Sequence, residues 1–112
     1  MKEQVEEKID DAKEKAKAEA AKIIANAEKA ATKIRSEGKT AAQKVRDEAN
    51  KRADDIEKSA KNPIEKAAKK KLADKVRKEG DKKAEKVVEE ADAKADKVMT
   101  DARKKADALL AK

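Results

Sequence analysis

Apolar and small residues recur along the first half of the chain in steps of three, four and four residues. Eleven residues therefore make one repeat of three helical turns, at about 3.67 residues per turn. This period is close to that of the α-helix, so it predicts nearly straight helices with slight right-handed supercoiling. Apolar and polar residues do not alternate as they would in a strand, so no strand is predicted. The stripe comprises Ile9, Ala12, Ala16, Ala20, Ile23, Ala27, Ala31, Ile34, Gly38, Ala42, Val45, Ala49, Ala53, Ile56, Ala60 and Ile64.

The repeats form two sets that are out of phase with each other. AQKVRDEANKR, which begins at Ala42, belongs to the first set, and AEKVVEEADAK, which begins at Ala84, belongs to the second. Both have the form Ala-x-Lys-Val, with a small residue four positions after the valine. The phase changes at the only proline of the chain, Pro63. The change of phase at a proline indicates that the chain reverses direction there.

The residues around Pro63 have the features of a helix start. Asn62 is a favoured N-cap, proline fits the first helical position, and Glu65 stands where a capping-box partner belongs. The sequence therefore predicts an all-α fold, a long antiparallel two-helix hairpin that forms an alanine-rich hendecad coiled coil. One continuous, kinked helix is the alternative. The expected single hairpin over 1–112 has a first helix over about 3–60, a turn at about 61–63 and a second helix over about 63–111.

Folding the chain about this turn places large residues opposite small ones. Gly38 is expected to face Val87, Gly80 to face Val45, and Leu72 to face an alanine of the first helix. Alternation of large and small residues lets facing helices interdigitate, so both glycines are interpreted as structural. The residues predicted to pack between the helices are Ile23, Ile34, Gly38, Val45, Ile56, Leu72, Val76, Gly80, Val87, Val98 and Leu109.

Further apolar residues lie beside the main stripe, towards the open end of the predicted hairpin. Because one Ile or Val per repeat offsets little of the entropy lost on ordering eleven residues, an isolated hairpin is expected to be marginally stable. Two hairpins are therefore predicted to associate into a four-helix bundle; a wider core within one hairpin is the alternative. The predicted oligomer face comprises Ile24, Val88, Met99 and Leu110.

Composition excludes several classes of protein. Charged residues make up 51% of the chain, and Cys, His and aromatic residues are absent. Without cysteine there is no disulfide framework or zinc–thiolate site, and without histidine the usual general base is missing. No arrangement of residues indicates catalysis, a metal or a cofactor. The chain is therefore expected not to be an enzyme.

Lysines concentrate around the predicted turn. Their functional interpretation is a contact for an acidic partner, and the alternative is an ordinary solvated turn. Specific binding of nucleic acid is not expected, because stacking aromatics are absent and arginine is scarce. Binding to a membrane surface is expected to be weak, because the apolar stripe is mostly alanine. The patch comprises Lys58, Lys61, Lys66, Lys69, Lys70 and Lys71.

The eleven-residue units resemble those of two known groups of proteins. One is the right-handed coiled-coil peripheral stalk of rotary ATPases, and this resemblance implies a helical strut. The other is the group 3 late embryogenesis abundant proteins, and this resemblance implies a protectant that folds on drying or on membranes. The resemblance extends over about residues 9–112 and lies in period and composition.

The expected function is that of a non-enzymatic structural or interaction module, a coiled-coil spacer or scaffold. Homo-oligomers and an unidentified protein partner are expected. The alternative is a conditionally folding stress protectant that binds anionic membranes or acidic partners weakly. No apolar leader is visible in the sequence, which favours the cytoplasm. Export is expected instead if a leader has been removed.

Overall fold

The computed structural model describes the backbone of residues 2–111 and the side chains of residues 10–111. It contains helix α1, Lys2–Lys58, and helix α2, Pro63–Ala111, and no strand within the described residues. The predicted all-α antiparallel hairpin is confirmed. The side chain of Ile9, the first residue of the predicted stripe, lies outside the described side chains.

Helix α1 ends two residues before the predicted boundary because its last turn tightens. The backbone N–H of Ser59 donates to Asp55 O at 3.1 Å and to Ile56 O at 3.2 Å, and that of Ala60 donates to Glu57 O at 3.3 Å. Bonds to the third preceding carbonyl are typical of a final 3₁₀ turn. The Ser59 hydroxyl also donates to Ile56 O, at 2.7 Å, so the side chain satisfies part of the helix end.

Helix α2 begins at Pro63 with Asn62 as its N-cap. The backbone N–H of Glu65 donates to Asn62 Oδ1 at 2.8 Å, and Lys66 N–H donates to Asn62 O at 2.9 Å. Glu65 Oε2 in turn accepts from the backbone N–H of Lys61 at 2.7 Å, one residue before the usual capping-box donor. Proline at the first helical position forfeits no hydrogen bond, because that N–H has no partner within a helix.

The chain divides into two compact units, each built from a piece of both helices. The turn unit comprises residues 35–92, and the terminal unit comprises residues 1–34 and 93–112. In the turn unit the buried positions are small residues: Gly38, Ala42, Ala53, Ala73, Gly80, Ala84 and Ala91. In the terminal unit they are all alanine: Ala20, Ala27, Ala31, Ala95, Ala102 and Ala106.

The core thus consists of small residues, and no large side chain is fully buried among the described residues. The Ile and Val of each repeat are half-buried and lie at the margins of the interface. Small residues allow two helix backbones to approach closely, and the closer the backbones lie, the more the larger side chains are displaced to the sides. The apolar ridges therefore remain partly accessible along the hairpin.

The predicted pairing of glycine with valine is wrong by about one helical turn. A Cβ added at Gly38 would overlap the Cβ of Ala91, and one added at Gly80 would overlap that of Ala49. The backbone carbonyl oxygens of Val87 and Val45, rather than their side chains, lie 3.9 Å from the added atoms. Small residues therefore meet small residues, and each glycine lets the opposite backbone approach.

Leu72 does not lie in the interface as predicted. Its side chain is 51% exposed, whereas the next residue, Ala73, is fully buried. Adjacent helical residues point about 100° apart, so a shift of one position moves a side chain off the contact face. Ile64, the last residue of the predicted stripe, is 85% exposed. It lies in the first turn of α2, before the buried positions of that helix begin at Ala73.

Candidate functional site

The surfaces of the turn unit follow from the eleven-residue repeat. In the turn unit, an Ile or Val stands three residues after Ala42, Ala53, Ala73 and Ala84, as at Val45 and Val76. A second half-buried position stands four residues after each of these four alanines, as at Arg46 and Arg77. Because these two positions flank the buried residues on opposite sides of the helix, the turn unit has two different faces.

The first face of the turn unit carries ion pairs between the helices, and we call it the arginine face. Its arginines are Arg35, Arg46 and Arg77. Arg35 Nε lies 3.8 Å from Asp92 Oδ1, and Arg46 Nε lies 3.6 Å from Asp81 Oδ1. These partners are on the opposite helix, so the arginines connect α1 and α2.

Arg77 makes the tightest of these contacts. Its Nη1 donates to Glu57 Oε1 at 2.6 Å and its Nη2 donates to Asp54 Oδ1 at 2.8 Å. A third carboxylate, Asp74, lies 3.3 Å from Nη1 on the same helix. The hydrogen bonds to Glu57 and then Asp54 raise the pKa of Arg77 above its ordinary value. The planar guanidinium suits such divided contacts, which a lysine cannot reproduce.

The opposite face of the turn unit holds a shallow groove of about 250 Å³, which we call the valine groove. The groove is lined by small and β-branched residues, namely Val45, Ala49, Val76 and Gly80. Its rim carries Glu48 and Arg52 on α1 and Glu79 and Lys83 on α2. All four rim residues are exposed, and none makes an ion pair or side-chain hydrogen bond within the described part of the chain.

The predicted lysine patch surrounds the turn, but one of its members has a structural contact. Lys69 Nζ donates to Ser59 O at 2.9 Å and to Ser59 Oγ at 2.8 Å. A cation at the last carbonyls of a helix also interacts favourably with the negative end of the helix dipole. The other five lysines of the patch are exposed: Lys58, Lys61, Lys66, Lys70 and Lys71.

The residues of the predicted oligomer face belong to both units. In the terminal unit, Ile24 and Met99 are half-buried and Leu110 is 52% exposed. In the turn unit, Val88 is half-buried. In the terminal unit, Ile24, Met99 and Leu110 each directly follow an Ile, Val or Leu. Arg35 and Arg46 hold this same position of the repeat in the turn unit.

The residues predicted to pack between the helices are, apart from Leu72, buried or half-buried. Gly38 and Gly80 are buried. The half-buried members of the turn unit are Val45, Ile56, Val76 and Val87. Those of the terminal unit are Ile23, Ile34, Val98 and Leu109.

Sequence reasoning missed the cross-helix arginines. The signal was present, because an arginine directly follows the β-branched residue in Ile34-Arg35, Val45-Arg46 and Val76-Arg77. A charged residue repeated at a position beside the core indicates a partner on the facing helix. The partners themselves depend on the antiparallel register. The register predicted from the sequence differs from the observed one by about one helical turn.

The described side chains contain no group of acidic residues placed to hold a metal ion. Within the same residues, no helix is long and apolar enough to cross a membrane. Comparison of the chain with protein-family models, with curated proteins and with solved structures finds no match in any of the three. What these surfaces bind has therefore to be inferred from their own charge and shape.

Proposed function

We propose that the chain is a non-enzymatic structural module, a coiled-coil hairpin that acts as a spacer or scaffold. The observation that carries the proposal is the close contact of each glycine with one alanine of the facing helix, Gly38 with Ala91 and Gly80 with Ala49. These two contacts define a single antiparallel register. A chain that holds one register has the specificity that a strut requires.

Two further features support a hairpin that is folded in dilute solution. The turn is defined by reciprocal hydrogen bonds between Asn62, Glu65 and Lys61, and Arg77 connects the helices through Glu57 and Asp54. The turn contacts fix where the chain reverses, and the Arg77 contacts are made only when the helices pair in this register. Together they favour the folded hairpin over other pairings of a repetitive sequence.

The half-buried Ile and Val ridges support an interaction role for the same module. A hairpin whose largest apolar side chains remain partly accessible gains by covering them with another surface. Association with further copies of the chain, or with another protein, is therefore part of the proposal.

The second candidate is a conditionally folding stress protectant. It is favoured by one observation, the absence of any fully buried large side chain among the described residues. A core made of alanine and glycine buries little apolar area, so ordering the chain is weakly compensated. In this alternative the exposed lysines near the turn contribute weak binding to anionic membranes or acidic partners.

Circular dichroism in dilute buffer across a broad temperature range tests the proposal against this alternative. We expect high helicity and a cooperative melt for a scaffold. Low helicity that rises only with vesicles of anionic phospholipid, or on dehydration, would contradict the scaffold and favour the protectant. Vesicles of zwitterionic lipid are the matched control, because they offer the same surface without the charge.

A further inference from the structure

We infer that the valine groove is the docking surface for a second copy of this chain. The inference rests on the proposed scaffold function, because it requires a folded hairpin. The groove has an apolar floor of Val45, Ala49, Val76 and Gly80. Its rim has two acidic and two basic residues, arranged so that the surface is complementary to itself.

The charged residues of the two faces of the turn unit differ in whether they have partners on the opposite helix. On the arginine face, Arg46 and Arg77 reach acidic partners on the opposite helix. Around the valine groove, the charged residues stand farther from the line where the helices meet, six and ten positions after the buried alanines Ala42 and Ala73. The groove separates the two rows, and these charges therefore have no partner across it within the hairpin.

A two-fold axis parallel to the helices brings the grooves of two copies face to face. This operation lays α1 of one copy against α2 of the other, antiparallel and at the same height as within one hairpin. That height is fixed by the contact of Ala49 with Gly80. The register of the dimer is thus set by the register of the hairpin.

In this register the rim charges of the two copies lie within about half a helical turn of one another. Glu48 stands between Glu79 and Lys83 of the second copy, and Arg52 stands beside Glu79 of the second copy. The two-fold axis repeats these contacts, so each basic residue of the rim gains an acidic neighbour. A surface that is complementary to itself in this way is what an isologous dimer requires.

The apolar residues follow the same register. Val45 lies within one helical turn of Val87 of the second copy, and Ile56 lies within one helical turn of Val76 of the second copy. These side chains are half-buried in one hairpin and become the centre of a four-helix arrangement in the dimer. The docking surface therefore buries large side chains that the alanine core leaves accessible.

Two single charge reversals and their mixture test the docking surface. Lys83→Glu places two acidic residues beside each other in the dimer, and Glu48→Lys places two basic residues beside each other. Each variant alone is expected to raise the dimer dissociation constant by about tenfold, since two attractive pairs become repulsive. An equimolar mixture of the two restores opposite charges at both pairs and is expected to form a heterodimer.

Light scattering and sedimentation equilibrium measure the outcome. The natural chain should show twice its mass of 12.3 kDa at high concentration, each variant less dimer, and the mixture dimer again. Lys86→Glu is the matched control: it reverses an exposed lysine on the same helix, away from the groove, and should leave the dimer unchanged. Far-UV circular dichroism of each variant verifies that the helices persist.

Each other outcome overturns the inference in a recognisable way. A helical natural chain that stays monomeric rejects the docking surface but leaves the scaffold proposal standing. A dimer that is indifferent to both reversals places the contact elsewhere, and a dimer that weakens equally with Lys86→Glu reflects net charge alone. A chain without helix in dilute buffer contradicts the proposed function itself.

Discussion

Gly38 and Ala91 lie in direct contact across the turn unit, where an added methyl group at Gly38 would overlap the Cβ of Ala91. Glycine inside a helix costs about 1 kcal/mol relative to alanine. The close approach of the two helices depends on that glycine. Gly38 therefore lowers the helix propensity of α1 but allows the two backbones to make contact.

Gly38→Ala is expected to destabilise the hairpin despite improving helix propensity. Overpacking of a filled site costs about 1–3 kcal/mol, which exceeds or cancels the gain. The double variant Gly38→Ala with Ala91→Gly exchanges the two residues and should recover most of the loss. Urea denaturation followed by circular dichroism measures both. A single variant more stable than the natural chain would contradict the register described above.

The N-cap of α2 gives a second prediction. Asn62→Ala removes the acceptor of the Glu65 backbone N–H and should lower the free energy of unfolding by about 0.5–2 kcal/mol. Asn50→Ala is the matched control, because Asn50 is exposed in the interior of α1. That substitution should be neutral or slightly stabilising, since alanine is the better helix former. Equal effects at the two sites would show that the cap contributes nothing.

Arg77 gives a third prediction, which concerns salt and pH. Arg77→Lys should lower the unfolding free energy in low salt and lower it by less in high salt. Arg103→Lys, at an exposed position, should have no effect in either condition. The folded-state pKa of Arg77 is raised, so its contribution is fully present below its ordinary pKa and is lost only as the pH rises through the raised value. The difference between natural chain and variant should therefore stay constant from neutral to mildly alkaline pH.

The correction at Leu72 is also testable. Leu72→Ala should change the unfolding free energy by less than about 0.5 kcal/mol, because the side chain is half exposed. Ala73→Leu, one residue further, inserts a large side chain into a fully buried position and should cost about 1–3 kcal/mol or more. Thermal melts compare the two. The reverse order of effects would restore the register expected from large-to-small pairing.

The sequence was sufficient to predict the hairpin but not its register. The eleven-residue period, and the phase change at Pro63, depend on local features of one helix, and both predicted helices exist. The facing pairs depend on how closely two backbones approach, which alanine and glycine decide collectively. A repeat with this regularity offers similar pairings one turn apart, so Gly38 could be matched to Val87 on pattern alone.

For the surfaces too, the sequence predicts the residues but not all of their contacts. Lys69 was predicted within a patch open to partners, yet its ammonium group reaches back to Ser59 O at the end of α1. That contact depends on the path of the chain through the turn. The cross-helix partners of Arg46 and Arg77 likewise required the register. The valine groove follows from the contact of Gly80 with Ala49, whereas the sequence predicts that Gly80 faces Val45.

The repeat of buried small residues also makes the length of this protein adjustable in fixed increments. Inserting one eleven-residue unit into α1 and one into α2 would extend each helix by about 16 Å, since each residue rises 1.5 Å. Three whole turns are added to each helix, so every face would keep its orientation. Duplication or deletion of matched units could therefore tune a distance without redesigning the contacts, whereas a change in one helix alone would leave a loop or a mismatch.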